Sequence, residues 1–211
     1  MVAFDNFTDI DVFLLWDVLK RVNLALLDVK ILSDNKMIAS KTGISIVSHE
    51  RWSWANECDG VLFSSGPDAK ELYRDPAFLK NFSIDLNRQF IGSICSGSLI
   101  LASLGLLNGK TATTYPTTRQ LLVNMGVEVV EKPIVIHSQV ATAAGCLAGE
   151  FLVRWLLEKL FDRKLSDQIG SSIRPLGDGL TFDSSGIAEI YSAVAEHSHA
   201  QSKAKFQGNV L

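Results

Sequence analysis

The residues with the clearest chemical potential lie in one short run, Phe90-Ile91-Gly92-Ser93-Ile94-Cys95-Ser96-Gly97-Ser98-Leu99-Ile100. An apolar, strand-like segment runs into a cysteine, and small residues then open an apolar, helix-like segment. A cysteine at such a corner exposes its sulfur at the carboxyl end of a sheet, where open α/β folds bind ligands. It also places the thiol near a helix N-terminus, whose partial positive charge favours thiolate over thiol. The chemistry is that of a nucleophile carried on a sharp strand-to-helix turn. The competing reading is a small cysteine packed at a strand end, because cysteine is among the most buried residue types.

Presenting that corner requires a sheet wrapped by helices, and the rest of the pattern predicts one. Val2 to Phe4 reads as a first short strand. Asp9 to Val22 reads as a helix with Ile10, Phe13, Leu14, Val18 and Leu19 at helical spacing. Strands are expected at Leu27 to Leu32, Ile44 to Val47, and Gly60 to Phe63, the last ending in the Ser64-Ser65-Gly66-Pro67 turn. Pro76 starts a helix reaching about Leu86. Phe90 to Ile94 is the central strand and Ser96 to Leu107 the helix after it, closed by Asn108-Gly109. Thr111 to Thr114 is a strand, Pro116 to Met125 a helix, and Val127 to Val130, Ile134 to His137 and Val140 to Ala143 are strands. A long helix follows from about Leu147 to Phe161, its apolar face carrying Phe151, Leu152, Trp155, Leu156 and Leu160. A last helix is expected at Ile187 to Ala195, and a flexible tail from about residue 200. Strands alternating with helices imply an α/β three-layer sandwich with a mostly parallel central sheet. With no repeat or linker visible, residues 1–211 read as a single domain.

Bulk properties narrow the function. The 211 residues are 47% hydrophobic and 20% charged with a net charge of -3, which describes an ordinary globular protein. Lysine and arginine are scattered, so neither a nucleic-acid partner nor a membrane surface is expected. The longest apolar runs are far too short to span a bilayer. Asp5, Asp9 and Asp11 interrupt the apolar start, so no secretory signal is expected. The three cysteines, Cys58, Cys95 and Cys146, include no CxxC pair and fit a reducing, cytoplasmic compartment. His197 and His199 resemble a metal pair only superficially, and neither metal nor cofactor is expected.

Four segments together resemble the ThiJ/PfpI superfamily, whose flavodoxin-like core is shared with class I glutamine amidotransferases. They are Phe4-Asp5-Asn6-Phe7-Thr8-Asp9-Ile10-Asp11, Asp59 to Pro67, the Ile94-Cys95-Ser96-Gly97 elbow with its Leu104 to Thr114 continuation, and Ala143 to Phe151. The Gly-Leu-Leu-x-Gly-x-x-Ala-Thr-Thr continuation is similar to the branch holding isonitrile hydratases and the ligand domains of related regulators. The chain departs from family patterns at Ser96, where protease-like members have His, at Tyr115-Pro116 in place of His-Trp, at Ser65-Gly66 in place of Gly-Gly, and at Phe13-Leu14-Leu15 in place of Gly-Pro.

The resemblance implies a Cys95 nucleophile with the Asp11 carboxyl pointed at its sulfur, and Asp9 is the competing choice of acid. Desolvation would raise the pKa of Asp11 and let it donate a proton near neutral pH. The backbone N–H groups of Gly66 and Ser96 are expected to cradle developing charge. The Ser96 hydroxyl could bond the sulfur or the substrate, or act as a helix-start cap. Tyr115 could line the pocket mouth, against the plainer reading of a strand-end tyrosine. The implied reaction is hydration of an isonitrile to an N-substituted formamide through a Cys95 thioimidate, with a small-molecule substrate and a homodimeric assembly. The alternatives are a glyoxalase or deglycase-like enzyme, a redox-sensing stress protein, and a non-catalytic small-molecule-binding domain. Protease activity is disfavoured by Ser96, unless a distant histidine such as His137 reaches the thiol.

Overall fold

The computed structural model describes residues 1–23 and 25–173. In chain order, helix α1 (Asp9–Lys20) precedes strands β1 (Met37–Ala39), β2 (Ser45–Val47) and β3 (Gly60–Phe63), then short helices α2 (Ala69–Leu72) and α3 (Pro76–Leu79). Strand β4 (Phe90–Ile94), helix α4 (Ser98–Ser103), strand β5 (Thr111–Ala112), helix α5 (Arg119–Asn124) and strands β6 (Glu128–Val129), β7 (Ile134–His137) and β8 (Val140–Ala143) follow. Helices α6 (Gly149–Leu160) and α7 (Arg163–Ser172) close the described residues.

The central sheet has the order β3-β4-β8-β7, with β3, β4 and β8 parallel and β7 antiparallel at the edge. The first residues extend it on the other side. Val2 bridges Phe63 and Leu32 in parallel, with Val2 N–H donating to Leu62 O at 2.8 Å. The expected first strand and the Leu27–Leu32 strand are therefore present as single bridges rather than full ladders. β1 and β2 pair apart from this sheet as an antiparallel hairpin, and β5 and β6 pair as a short parallel ladder.

Successive strand residues point to opposite faces, and that alternation builds two cores. Leu62, Ile94, Ala141 and Ala143 pack with Val12, Leu15 and Val18 of α1 and Leu152, Trp155 and Leu156 of α6. Val61, Phe63, Ile91 and Val140 pack on the other face with Ala69, Phe78, Leu99, Ile100, Leu101 and Leu122. Helices thus cover both faces of a mostly parallel sheet, giving the α/β three-layer architecture read from the pattern.

Several boundaries differ from the sequence reading. The helix expected from Ser96 to Leu107 starts as a 3-10 turn at Cys95–Gly97 and runs only from Ser98 to Ser103, because Gly105 (φ +74°) turns the chain. The helix from Pro76 stops at Leu79. On α1, Ile10 is 41% exposed while Val12 and Leu15 fill the core, so the buried stripe is rotated from the expected one. Beside them on α1, Phe13 and Trp16 are only partly buried against the same core. Helix α7, not anticipated, has an N-cap signal in Asp162, whose carboxylate accepts the Leu165 N–H at 2.8 Å. The Ile187–Ala195 helix, the tail, and His197 and His199 lie outside the described residues. Among the described residues no helix is long and apolar enough to cross a membrane, and no group of three or more His, Cys, Asp or Glu is placed to hold a metal ion.

Candidate active site

Strand β4 delivers Cys95 to the carboxyl edge of the sheet in a left-handed conformation, φ +54°. A non-glycine residue there is strained by about 1–3 kcal/mol and persists only where its surroundings hold it. Two hydroxyls do so. The Cys95 carbonyl accepts from Ser98 Oγ at 3.1 Å and from Thr114 Oγ1 at 2.9 Å. Thr114 Oγ1 also lies 2.7 Å from Ser98 Oγ and 2.9 Å from Thr118 Oγ1. Thr114 and Ser98 therefore act as a clamp on the elbow. Thr114→Val, which removes the Thr114 half of the clamp while keeping the shape, is expected to lower stability by about 1–2 kcal/mol in thermal denaturation.

The elbow sits tightly against the end of β3. A Cβ on Gly97 would lie 2.6 Å from the carbonyl oxygens of both Phe63 and Ser64, so only glycine fits there. The same loop docks helix α1, since Thr8 N–H donates to Ser65 O at 2.9 Å. That contact brings the first turn of α1, with its acidic residues, over the cysteine.

The structure places Asp11, not Asp9, against the sulfur. Asp11 is fully buried, and its Oδ2 accepts a short hydrogen bond from Ser65 Oγ. Its Oδ1 is buried without an aligned hydrogen-bond partner, although the thiols of Cys95 and Cys146 both lie against the carboxyl. Burial raises the Asp11 pKa above the usual carboxylate value, opposed by Ser65 and by the two thiols. Asp9 instead takes a hydrogen bond from Thr42 Oγ1 at 2.7 Å, and contacts with Ser40 and Thr42 hold its pKa low.

The expected lowering of the Cys95 pKa by the helix N-terminus is not found. Burial, and then the negative charge of Asp11, push this thiol up to about 12, against weaker opposing contacts from Ser65 and the Ser96 N–H. Helix α4 is six residues long, and its partial charge is too small to outweigh desolvation beside a carboxylate. Cys146 is likewise pushed up to about 12, first by burial and then by Asp11. The resting site holds protonated thiols around a buried carboxyl. Both pKa values exceed the free-thiol 9.0, so the thiols' contribution to stability is intact below pH 9 and is lost as pH rises toward about 12. The melting temperature is therefore expected to fall more steeply between about pH 9 and 12 for the natural chain than for Cys95→Ser.

The remaining predicted residues are distributed as follows. The Ser96 N–H faces the Cys95 sulfur. The Gly66 N–H donates to Ser96 Oγ at 3.2 Å, and that hydroxyl also reaches Gly66 O at 3.3 Å. Two corrections follow: the Gly66 N–H is committed within the protein, and the Ser96 hydroxyl pins the β3 loop rather than the sulfur. A Cβ on Gly66 would lie 2.3 Å from Asn6 O, so this glycine is there for close packing of the first loop. Tyr115 follows the clamp residue Thr114, and its carbonyl accepts from Thr118 N–H and Oγ1. A cavity of about 390 Å³ opens beside the clamp, with Thr114, Pro116, Arg119, Glu131, Lys132 and Pro133 in its lining and neither Cys95 nor Asp11 among the lining residues. His137 does not reach the thiol. It ends β7, antiparallel to β8, at the far edge of the sheet, with Nε2 2.8 Å from Thr111 O. His49 is held by Ile31 N–H at Nδ1 and stacks on Trp16.

Two members of the cluster had no assigned role in the sequence reading. Ser65 stands where the family pattern has a glycine, and a polar side chain gained at that position was the available signal. Cys146, a cysteine after a turn glycine, is expected from the sequence to pack near the active region, and it does so against Asp11.

Comparisons with known proteins agree with this geometry. The fold resembles a ThiJ/PfpI family protein from Pseudomonas syringae (TM-score 0.79, 22% identity, covering 96% of this chain and 86% of that one). It also resembles DJ-1 from Schizosaccharomyces pombe (TM-score 0.69, 19% identity, covering 82% and 96%). In sequence, the chain is 28% identical over 113 residues to an isonitrile hydratase from Pseudomonas putida, covering 53% of this chain and 50% of that protein. It is 41% identical over 46 residues to a deglycase from Pyrococcus horikoshii, covering 22% and 28%. The matched part thus spans half or less of these two relatives' own length. The model of the DJ-1/PfpI family matches residues 1–159, and with the elbow cysteine on the sheet edge this shows that the chain belongs to the DJ-1/PfpI family.

Proposed function

We propose that the protein hydrates an isonitrile to an N-substituted formamide, using Cys95 as nucleophile and Asp11 as proton carrier. The observation that carries this reading is the buried Asp11 carboxyl set against a protonated Cys95 thiol on a strained turn. Similarity to the Pseudomonas putida isonitrile hydratase supports the choice of substrate class.

The chemistry needs one proton moved and one bond made. The Cys95 proton passes to Asp11, and the sulfur attacks the terminal carbon of R–N≡C. Asp11 returns the proton to that carbon, giving the thioimidate R–N=CH–S–Cys95. Water adds to the same carbon, and the C–S bond breaks to release R–NH–CHO and the thiol. Burial keeps the thiol protonated at rest, and its proton moves to Asp11 as the sulfur attacks. The Ser96 N–H steadies charge on the sulfur as it forms. The proposal includes a homodimer and a cytoplasmic location.

The test is incubation of the purified protein with an alkyl isonitrile and, separately, with methylglyoxal, following products by proton NMR. Formamide production from the first substrate supports hydration. Consumption of methylglyoxal with no formamide would transfer the site to the aldehyde chemistry suggested by the short deglycase match.

A further inference from the structure

We propose that Cys95 and Cys146 form a reversible disulfide after peroxide oxidation, with Cys146 as the resolving thiol and Asp11 as its base.

Three observations converge on this pair. The first is topological. β4 and β8 are adjacent parallel strands in which Ile94 pairs with Ala143. Cys95 lies one residue beyond that pair and Cys146 three residues beyond, both on turns leaving the same sheet edge. The paired Ile94 and Ala143 are about 5 Å apart at Cα, so the two turns that carry the cysteines start from neighbouring points of that edge. The second is the carboxyl between them. Both thiols lie against Asp11, which is fully buried and keeps Oδ1 free of any aligned donor. The hydration chemistry uses Asp11 with Cys95 alone and leaves Cys146 without a task. The third is access. Both cysteines are partly exposed, neither is in a disulfide, and a Cβ at Gly145 would meet nothing within 4 Å. Cys58, by contrast, precedes β3 at the opposite end of the sheet.

The steps balance with a hydroperoxide as oxidant. Asp11 takes the Cys95 proton, the Cys95 sulfur attacks ROOH, the O–O bond breaks, and the departing alkoxide takes that proton, giving Cys95 sulfenic acid and ROH. Sulfur is oxidised and the peroxide is reduced. Asp11 then accepts the Cys146 proton, the Cys146 sulfur attacks the Cys95 sulfur, and hydroxide leaves as water with that proton. The product is a disulfide in which Cys95 is blocked as a nucleophile but protected from irreversible sulfinic acid. A dithiol reductant restores both thiols. This inference goes beyond the hydration reading and does not depend on which substrate Cys95 attacks.

Treatment of the whole protein with hydrogen peroxide, followed by non-reducing peptide mass spectrometry, tests it. The natural chain is expected to yield a Cys95–Cys146 cross-linked peptide that dithiothreitol removes. Cys146→Ser and Cys146→Ala are both expected to accumulate Cys95 sulfinic acid instead, which dithiothreitol leaves unchanged. Equal sulfinic acid in all three proteins, pairing of Cys95 with Cys58, or no oxidation of Cys95 would each overturn the proposal. The readout is chemical, so a blank hydration assay would leave it standing, and its failure would leave hydration untouched.

Discussion

Cys95→Ala is expected to lower isonitrile hydration by about 10⁴-fold or more, because no other thiol is set on the strained turn to attack the substrate. The loss should appear in kcat, with little change in the melting curve. The shape of the turn comes from the clamp on the Cys95 carbonyl and from the close seat of Gly97, neither of which needs the sulfur. Alanine and cysteine carry the same Cβ in the left-handed region, and Cys95→Ser is the second, closer-sized control. Formamide production by either variant at the natural rate would remove the covalent mechanism.

Asp11→Asn produces three effects that a purely structural carboxyl would not combine. Turnover falls by about 10²–10⁴-fold, the usual range for removing a positioned acid–base group. The Cys95 thiol becomes more reactive toward iodoacetamide at pH 8, because the Asp11 charge is the second-largest cause holding its pKa up. The fold becomes more stable at neutral pH. The folded-state pKa of Asp11 is raised above 3.8, so its contribution is full below that pH and is lost as pH rises through the raised value. Asparagine removes that loss, and the stability gap between variant and natural chain should close under acid conditions. A variant that is slower, less stable and unchanged in alkylation would instead mark Asp11 as a structural carboxylate.

The elbow was legible because its signal is local. Phe90 to Ile94 can only be a buried strand, and the small residues after Cys95 allow the tight turn and close approach to β3 that Gly97 makes. The two-faced sheet followed from short apolar runs alternating with helical periodicity. Short helices were less legible. Ser96 to Leu107 has helical composition throughout, but Gly105 turns the chain and tertiary packing of Leu106 and Leu107 continues the apolar pattern past the helix end. Likewise, Val12 and Leu15 rather than Ile10 face inward, because the docking of Thr8 onto Ser65 fixes the rotation of α1.

By itself, the sequence determined the layered α/β architecture, the position of Cys95 at the end of a central strand, and the family. These depend on periodicity and on contiguous residues, whose geometry is set within a few turns of chain. Only the tertiary structure decided that Asp11 rather than Asp9 meets the sulfur, that Ser65 and Cys146 complete the cluster, and that the thiol rests protonated. Those outcomes depend on which side chains lose water together when distant segments close over one another. Burial and a neighbouring charge outweigh the field of a six-residue helix, and neither can be read from residues 90 to 100 alone.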